Sequence, residues 1–326
     1  MKLKFVTIGT GSIVEKMING AKQSQFFSLY GVYSRSEEKA NVFQKKFGAQ
    51  FIFTDLNKLA ESDADVIYIA SPTALHFEQA KLMLEHKKHV LCEKPACSNA
   101  REVRELIELA KENGVLFLEA MRPVFSPGYR WIADNLHRIG KIRQATFTYC
   151  QYSSRYDNFK KGIVENAFKP ELSNGALMDI GVYPIHVMLS LFGKPKSVQA
   201  SAYILKDSID GCGSAILKYD DFLGTVSYSK IADSKLPCEI QGEEGVLQFS
   251  PVGTPVWGKI VLRNGETFTP EIITVEHDIF YEIDAFCNMI LNGKNAEKYN
   301  QITLKTLEVM DEIRKQCKIR FPADLI

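Results

Sequence analysis

Phe5-Val6-Thr7-Ile8-Gly9-Thr10-Gly11-Ser12-Ile13-Val14 is the stretch on which the fold reading turns. Residues 4–8 are an apolar, β-prone run, and the segment after the glycines is amphipathic to about Ala21. Strand, glycine-rich turn and helix, in that order, are the context in which a G-x-G spacing carries meaning. Gly9 permits the tight turn, and Gly11 lets the backbone approach a pyrophosphate. The helix opens beside Thr10 with the N–H groups of Ser12 and Ile13, which together with the dipole favour an anion. Val14 stands where the fingerprint has Gly or Ala, which implies looser helix–strand packing. Alone, the fingerprint also fits a tight βα turn that binds nothing.

Working outward, residues 28–33 read as a second strand that ends in Ser34-Arg35-Ser36. An NAD site places an Asp or Glu here, to accept from the ribose 2′-hydroxyl. Ser34 and Arg35, with Lys39 about a turn further on, suit a 2′-phosphate instead. The reading therefore favours NADP and leaves NAD possible. Residues 65–70 form a buried strand ending at Ser71-Pro72-Thr73, and His76 opens the next helix. These residues are candidates to meet the ribose or nicotinamide, or else form an ordinary connection. A strand at 90–92, a helix at 100–113 stopped by Gly114, and a strand at 115–120 complete the alternation. Strands alternating with helices predict a doubly wound parallel sheet over residues 1–121.

After Arg122-Pro123 the pattern changes. Residues 153–175 are polar and irregular, with Arg155, Tyr156, Phe159, Phe168 and Pro170 interspersed, and read as a substrate-side cover. Residues 175–193 read as one apolar helix. Asp179, Tyr183, His186 and Ser190 recur on it at i, i+4, i+7 and i+11, a single stripe. Asp, Tyr and His hold and pass protons, so the stripe is a candidate site, against the alternative of a self-satisfied buried polar row. Beyond Gly193, strand pairs flank turns such as Asn264-Gly265, and helices follow at 278–291 and 301–317. Residues 122–326 are thus expected to form an α+β domain with a large, mostly antiparallel open sheet. One face would pack on helices, and the other needs a cover such as a partner subunit.

Between these regions lies Val90-Leu91-Cys92-Glu93-Lys94-Pro95. A strand here delivers Lys94 to the carboxyl end of the sheet, where open α/β folds place ligands, and Pro95 stops the ladder. Hydride transfer to a carbonyl leaves an alkoxide that needs a proton and nearby positive charge. A neighbouring ammonium favours the phenolate form of a phenol. Lys94 and Tyr183 are accordingly expected to form a proton-handling site split across an interdomain cleft, with Asp179 orienting either one.

The net charge of +1 over 326 residues offers no general attraction to nucleic acid or to a membrane surface. The apolar run after the first lysines breaks at Gly9, so no signal peptide is read, and no later stretch looks long and apolar enough to span a bilayer. The seven cysteines are scattered without C-x-x-C spacing, which suits free thiols in the cytoplasm. His86 and His89 read as surface histidines at a helix end, so no metal is expected.

The glycine motif, Glu93-Lys94-Pro95 and the D-x-G-x-Y-x-x-H run from Asp179 to His186 together resemble the Gfo/Idh/MocA oxidoreductase family, along essentially the whole chain. The resemblance implies a nucleotide-binding domain followed by an α/β domain whose open sheet often mediates dimerisation. It implies a catalytic Lys94 with Glu93 beside the cofactor, Tyr183 as the proton donor or acceptor, Asp179 as supporting carboxylate and His186 as a further polar member. A cis peptide before Pro95 also fits the family. The implied activity is hydride transfer between NADP (or NAD) and the C–OH or C=O of a sugar, polyol or related small molecule. The alternative is a nucleotide-binding sensor of the same fold without chemistry.

Overall fold

The structure, a computed structural model, describes residues 2–325. One compact unit comprises the chain up to Met121 together with Val275–Thr303. It begins β1 (Leu3–Ile8), α1 (Ser12–Ala21), β2 (Phe27–Tyr33), α2 (Glu37–Phe47), β3 (Phe51–Phe53) and α3 (Leu56–Ala60). It continues with β4 (Val66–Ile69), α4 (His76–Glu85), β5 (His89–Glu93), α5 (Ala100–Glu112) and β6 (Phe117–Ala120). The strands lie in the order β3-β2-β1-β4-β5-β6, and every pairing is parallel. The strands of the central β1-β4-β5 run are mostly apolar and almost wholly buried, as a sheet covered on both faces requires. Because chain order reverses between β1 and β4, the carboxyl ends of these two strands open a crevice. Helix starts follow local chemistry: Ser36, Asp55 and Asn99 each accept a backbone N–H at the start of α2, α3 and α5. No side chain caps α1, whose N-cap residue is Gly11.

The other unit comprises Arg122–Thr274 and the chain from Leu304 onward. It contains α6 (Pro127–Asn135), β7 (Ile142–Cys150), α7 (Tyr156–Lys160), α8 (Val182–Phe192), β8 (Ser197–Ile204), β9 (Asp210–Lys218) and β10 (Leu223–Ser229). β11 (Cys238–Gly242), β12 (Gly245–Ser250), β13 (Trp257–Leu262) and β14 (Thr267–Phe268) complete its sheet. The order is β14-β13-β12-β11-β7-β10-β9-β8, antiparallel except for the β7–β10 pair. Ala145, Phe147, Leu217, Val226, Ile240, Leu247, Phe249 and Ile260 form its buried face. α8 lies against that face so closely that a Cβ on Gly224 would stand 2.4 Å from the Met188 sulfur. The opposite face carries Tyr203, Ile216, Leu223, Trp257 and Val261, all exposed in the single chain.

The last two helices are α9 (Ile279–Leu291) and α10 (Glu297–Cys317). α9 packs on α1 in the first unit rather than staying with the sheet that precedes it. A Cβ on Gly20 would meet the Phe280 backbone nitrogen at 3.1 Å, and the Ser24 hydroxyl donates to Asp284 at 3.0 Å. Residues 122–326 were expected to form one body. The stretch 275–303 departs from it because the apolar face of α9 is buried on α1.

Three further expectations change. Val14 does not loosen the first βα turn: it is fully buried, and its Cγ2 would lie 3.5 Å from a Cβ on Gly9. The helix expected at 175–193 is a π-helical turn, Leu177–Gly181, followed by α8. The Val182 N–H donates to the Leu177 carbonyl, five residues back. Pro184, just beyond, has no N–H to return the chain to an α-helical bond there. By length and composition alone, Pro170–Phe192 is apolar enough to cross a membrane, contrary to the reading above; 78% of its most apolar window is buried inside the fold, as for a core helix. Gly20→Val forces a branched side chain into the α1–α9 contact and is expected to lower stability by about 1–3 kcal/mol. Chemical denaturation measures it, and an unchanged midpoint would contradict the packing described.

Candidate active site

At the crevice between β1 and β4, a cleft of about 270 Å³ is lined by Gly9, Thr10, Tyr33, Ser34, Arg35, Ser36, Lys39, Ser71, Pro72, Leu75 and Gln79. Gly9 holds φ at +121°, and a Cβ there would stand 2.9 Å from the Ala70 carbonyl oxygen, so only glycine fits the turn. A Cβ on Gly11 would meet nothing within 4 Å. That open space beside an uncapped helix start is the shape a pyrophosphate needs. Arg35 and Lys39 lie on the β2 side of the cleft, and no carboxylate lines it. The Ser34 hydroxyl accepts from the Ser36 N–H at 3.2 Å, and the Ser36 hydroxyl from the Lys39 N–H at 3.3 Å, which tightens the turn that carries Arg35. The residues present fit a dinucleotide with a 2′-phosphate. Ser71 donates to the Gln79 side chain at 2.7 Å, so Gln79, which the sequence reading passed over, fixes one wall.

His76 and Glu93, expected beside the cofactor, do not line this cleft, and both have partners inside the protein. The buried His76 ring has Nδ1 3.0 Å from the Pro95 carbonyl oxygen and Nε2 2.8 Å from that of Ser71. Burial holds its pKa below the usual imidazole value, so the neutral ring donates to one carbonyl at a time. His76 therefore ties the end of β4 to the turn after β5. Thr73 is buried in the short helical turn Thr73–Leu75. Glu93 accepts the Tyr68 hydroxyl at 2.5 Å and the Lys94 N–H at 3.2 Å. The Lys94–Pro95 peptide is cis. Lys94 thus follows β5 directly, on a turn held from β4 and α4.

In the other unit, the π-helical turn brings Asp179 to Lys230, which follows β10. Asp179 Oδ2 lies 2.7 Å from Lys230 Nζ. Lys230 is 3% exposed, donates to the Ala167 carbonyl at 3.1 Å and lies 4.8 Å over the Phe168 ring. The lysine joins the helix motif to the 153–175 segment, and the sequence reading missed it. Its one mark in the sequence is a charge placed just after an apolar alternation. Tyr183 is buried, its ring 5.4 Å from that of Tyr149. His186 is 2% exposed, with Nδ1 3.2 Å from the Ser190 hydroxyl. Burial depresses its pKa to about 3, so it stays neutral at working pH. Of the expected stripe, His186 is the member that burial takes out of acid–base work. Asp210 accepts the Leu177 N–H at 2.7 Å and caps the start of the motif, and burial pushes its pKa up to about 6. Residues 153–175 hold α7 and short helical turns, and Tyr156, Phe159 and Val164 with Tyr203 and Leu205 line a hollow of about 580 Å³.

The model of an oxidoreductase family with an NAD-binding Rossmann fold matches residues 3–121, and that of the GFO/IDH/MocA C-terminal domain matches residues 134–248. The chain belongs to the Gfo/Idh/MocA oxidoreductase family. It is 45% identical, over 99% of both chains, to a scyllo-inositol 2-dehydrogenase (NADP(+)) of Bacillus subtilis. It is 29% identical to a trans-1,2-dihydrobenzene-1,2-diol dehydrogenase of Xenopus laevis, over 90% of this chain and 91% of that one. The fold matches that of a 3-ketoreductase from Actinomadura kijaniata solved with NADP and TDP-benzene, with a TM-score of 0.86 at 23% identity over 97% and 98% of the two chains. Family membership accounts for the order of the glycine turn, the Lys94 turn and the Asp179–His186 run. It leaves the Asp179–Lys230 pair to be tested directly. Lys230→Met should cost about 1–3 kcal/mol, moderated because Asp179 is 34% exposed and water replaces part of the interaction. Asp179→Asn with Lys230→Met should recover part of that loss in a double-mutant cycle followed by denaturation, and strict additivity would dismiss the pair.

Proposed function

We propose that this chain is an NADP-dependent dehydrogenase of a ring polyol of the inositol class, with Lys94 and Tyr183 serving one reaction. The observation that carries the reading is the Lys94 turn, held at the carboxyl end of β5 beside the strands that line the cofactor cleft. NADP(H), when bound, supplies or takes the hydride at the nicotinamide ring. In the oxidising direction the substrate C–H bond breaks and its hydroxyl proton passes to the Tyr183 oxygen. In the reducing direction the phenol returns that proton. The Lys94 ammonium stabilises the charge that develops on the substrate oxygen. The polyol class is supported by the 45%-identical inositol dehydrogenase, and the choice of NADP by Arg35 just after β2 and Lys39 in the first turn of α2. A sensor without chemistry would not need the tied Lys94 turn.

The exposed apolar row Tyr203, Ile216, Leu223, Trp257 and Val261 supports a homo-oligomer in which a second copy covers the open sheet face. All seven cysteines are free, which supports work in a reducing compartment such as the cytoplasm.

Lys94→Ala should lower kcat at least ~100-fold for scyllo-inositol oxidation, with the NADPH dissociation constant retained within about twofold. Wild-type turnover by Lys94→Ala would end the reading. Arg35→Ala should raise the NADPH dissociation constant about 10–100-fold and leave that of NADH nearly unchanged, since a charge-assisted phosphate contact is worth ~1.5–3 kcal/mol. Fluorescence titration decides it, and equal weakening of both cofactors would refute the 2′-phosphate assignment.

A further inference from the structure

The turn that carries Lys94 is gripped by a residue that neither the family motif nor the cofactor cleft includes. Glu119 lies within β6, in the run Phe117-Leu118-Glu119-Ala120, and pairs in register with Cys92 of β5. It is 1% exposed. One carboxylate oxygen accepts the Ala96 N–H at 2.9 Å. The other accepts the Thr303 hydroxyl, from α10, at 2.9 Å. The backbone around Lys94 is therefore held at its own N–H by Glu93 and at the Ala96 N–H by Glu119, with the His76 ring 3.0 Å from the Pro95 carbonyl between them. A carboxylate buried in a parallel sheet is costly, and β6 could carry an apolar residue there for its packing. We infer that Glu119 is a positioning residue of the reaction, whose negative charge and hydrogen bonds fix the turn that presents Lys94.

Several charged and titratable groups surround this carboxyl. Lys94 favours its ionised form and Glu93 opposes it. Cys92 and Cys97 also face it, and burial keeps both thiols protonated. The Ala96 N–H and Thr303 hydroxyl stabilise the carboxylate, but burial outweighs them and raises the pKa from 4.5 to about 7. The attraction between Glu119 and Lys94 is mutual, so protonating Glu119 as the pH falls through about 7 weakens the hold on the ammonium. The contribution of the charge is thus greatest above neutral pH and falls away below it.

The inference rests on the role proposed for Lys94, and Glu119→Gln tests it. The amide keeps an oxygen for the Ala96 N–H and a nitrogen toward Thr303, but carries no charge. The ratio of wild-type to variant kcat for scyllo-inositol oxidation should fall from ~10 at pH 8 to near ~1 at pH 5.5, the size of effect a positioned charge supplies. NADPH affinity should stay within about twofold. Thr303→Val removes one stabilising hydrogen bond and leaves the charge. It should move the wild-type inflection near pH 7 upward, and it keeps the test alive if the Gln variant does not fold. A separate readout needs no turnover. A carboxyl whose pKa is raised on folding contributes stability in full below its unfolded value of 4.5, and loses it as the pH rises through about 7. Glu119→Gln should therefore gain in Tm over wild type between pH 5 and pH 8. A kcat ratio constant with pH, an inflection unmoved in Thr303→Val, or NADPH affinity lost with activity would overturn the inference. Lys94→Ala assayed in parallel separates the failures. If it is inactive while the Glu119→Gln ratio is flat, only the Glu119 role falls; if it is active, the proposed reaction falls first.

Discussion

Two carboxylates buried at the carboxyl ends of neighbouring parallel strands govern this structure. Glu93 closes β5 and Glu119 sits in β6, each less than one-tenth exposed. Carboxylates in such a place must have hydrogen-bond donors, or they do not stay ionised. The donors are backbone N–H groups of the turn between β5 and α5, the Tyr68 hydroxyl and the Thr303 hydroxyl. Satisfying the carboxylates and fixing the Lys94 turn are one event. The base of the Lys94 side chain is held because N–H groups of its own turn are the donors to these carboxyls.

The cofactor side follows the opposite logic. Apart from Arg35 and Lys39, the cleft is lined by backbone, small hydroxyls, apolar side chains and one amide, with no buried carboxylate. A dinucleotide brings its own negative charge, so the protein contributes space, N–H groups and cations. Glycine at Gly9 follows from sterics, since the Ala70 carbonyl occupies the place of a side chain. The Val14 departure is absorbed because its branched side chain fills the room between α1 and the turn. His76 joins the two regions, with one ring nitrogen at the end of β4 and the other at Pro95.

In the second unit the motif helix is bent to its task by a register change. The π-helical turn Leu177–Gly181 places Asp179 against Lys230, while the α-helical part beyond it buries Tyr183 and His186. Gly181 allows this, because a Cβ there would press on the Tyr228 ring at 3.0 Å. Asp210 caps the start of the turn from β9, so the sheet below fixes where the helix begins. The polar stripe is therefore divided by environment: Asp179 is ion-paired and partly exposed, while Tyr183 and His186 are buried.

Local pattern sufficed for the doubly wound sheet, the open antiparallel sheet, the glycine turn, Ser34-Arg35 in place of an acid, and Lys94 at a strand end. Each depends on neighbours in sequence: alternation, turn residues, and what a strand must deliver at its end. Glu119, Thr303 and Lys230 were not legible, because each acts on a residue far along the chain; Gln79 bonds Ser71 only eight positions away, but across a strand-to-helix turn whose geometry the pattern does not set. Glu119 left a trace, as one acid inside an otherwise apolar strand, but its partner Thr303 is 184 positions away. The return of α9 to α1 and the neutrality of His186 likewise follow from packing, since only the assembled interior sets which helix covers which and how little water reaches a ring. Sequence alone determined the fold class and the cofactor turn, and it placed Lys94 at a strand end and Tyr183 on an apolar helix. Tertiary structure decided which charges are buried together, because only the packed chain brings Glu119 to the Ala96 N–H and Thr303, and Asp179 to Lys230.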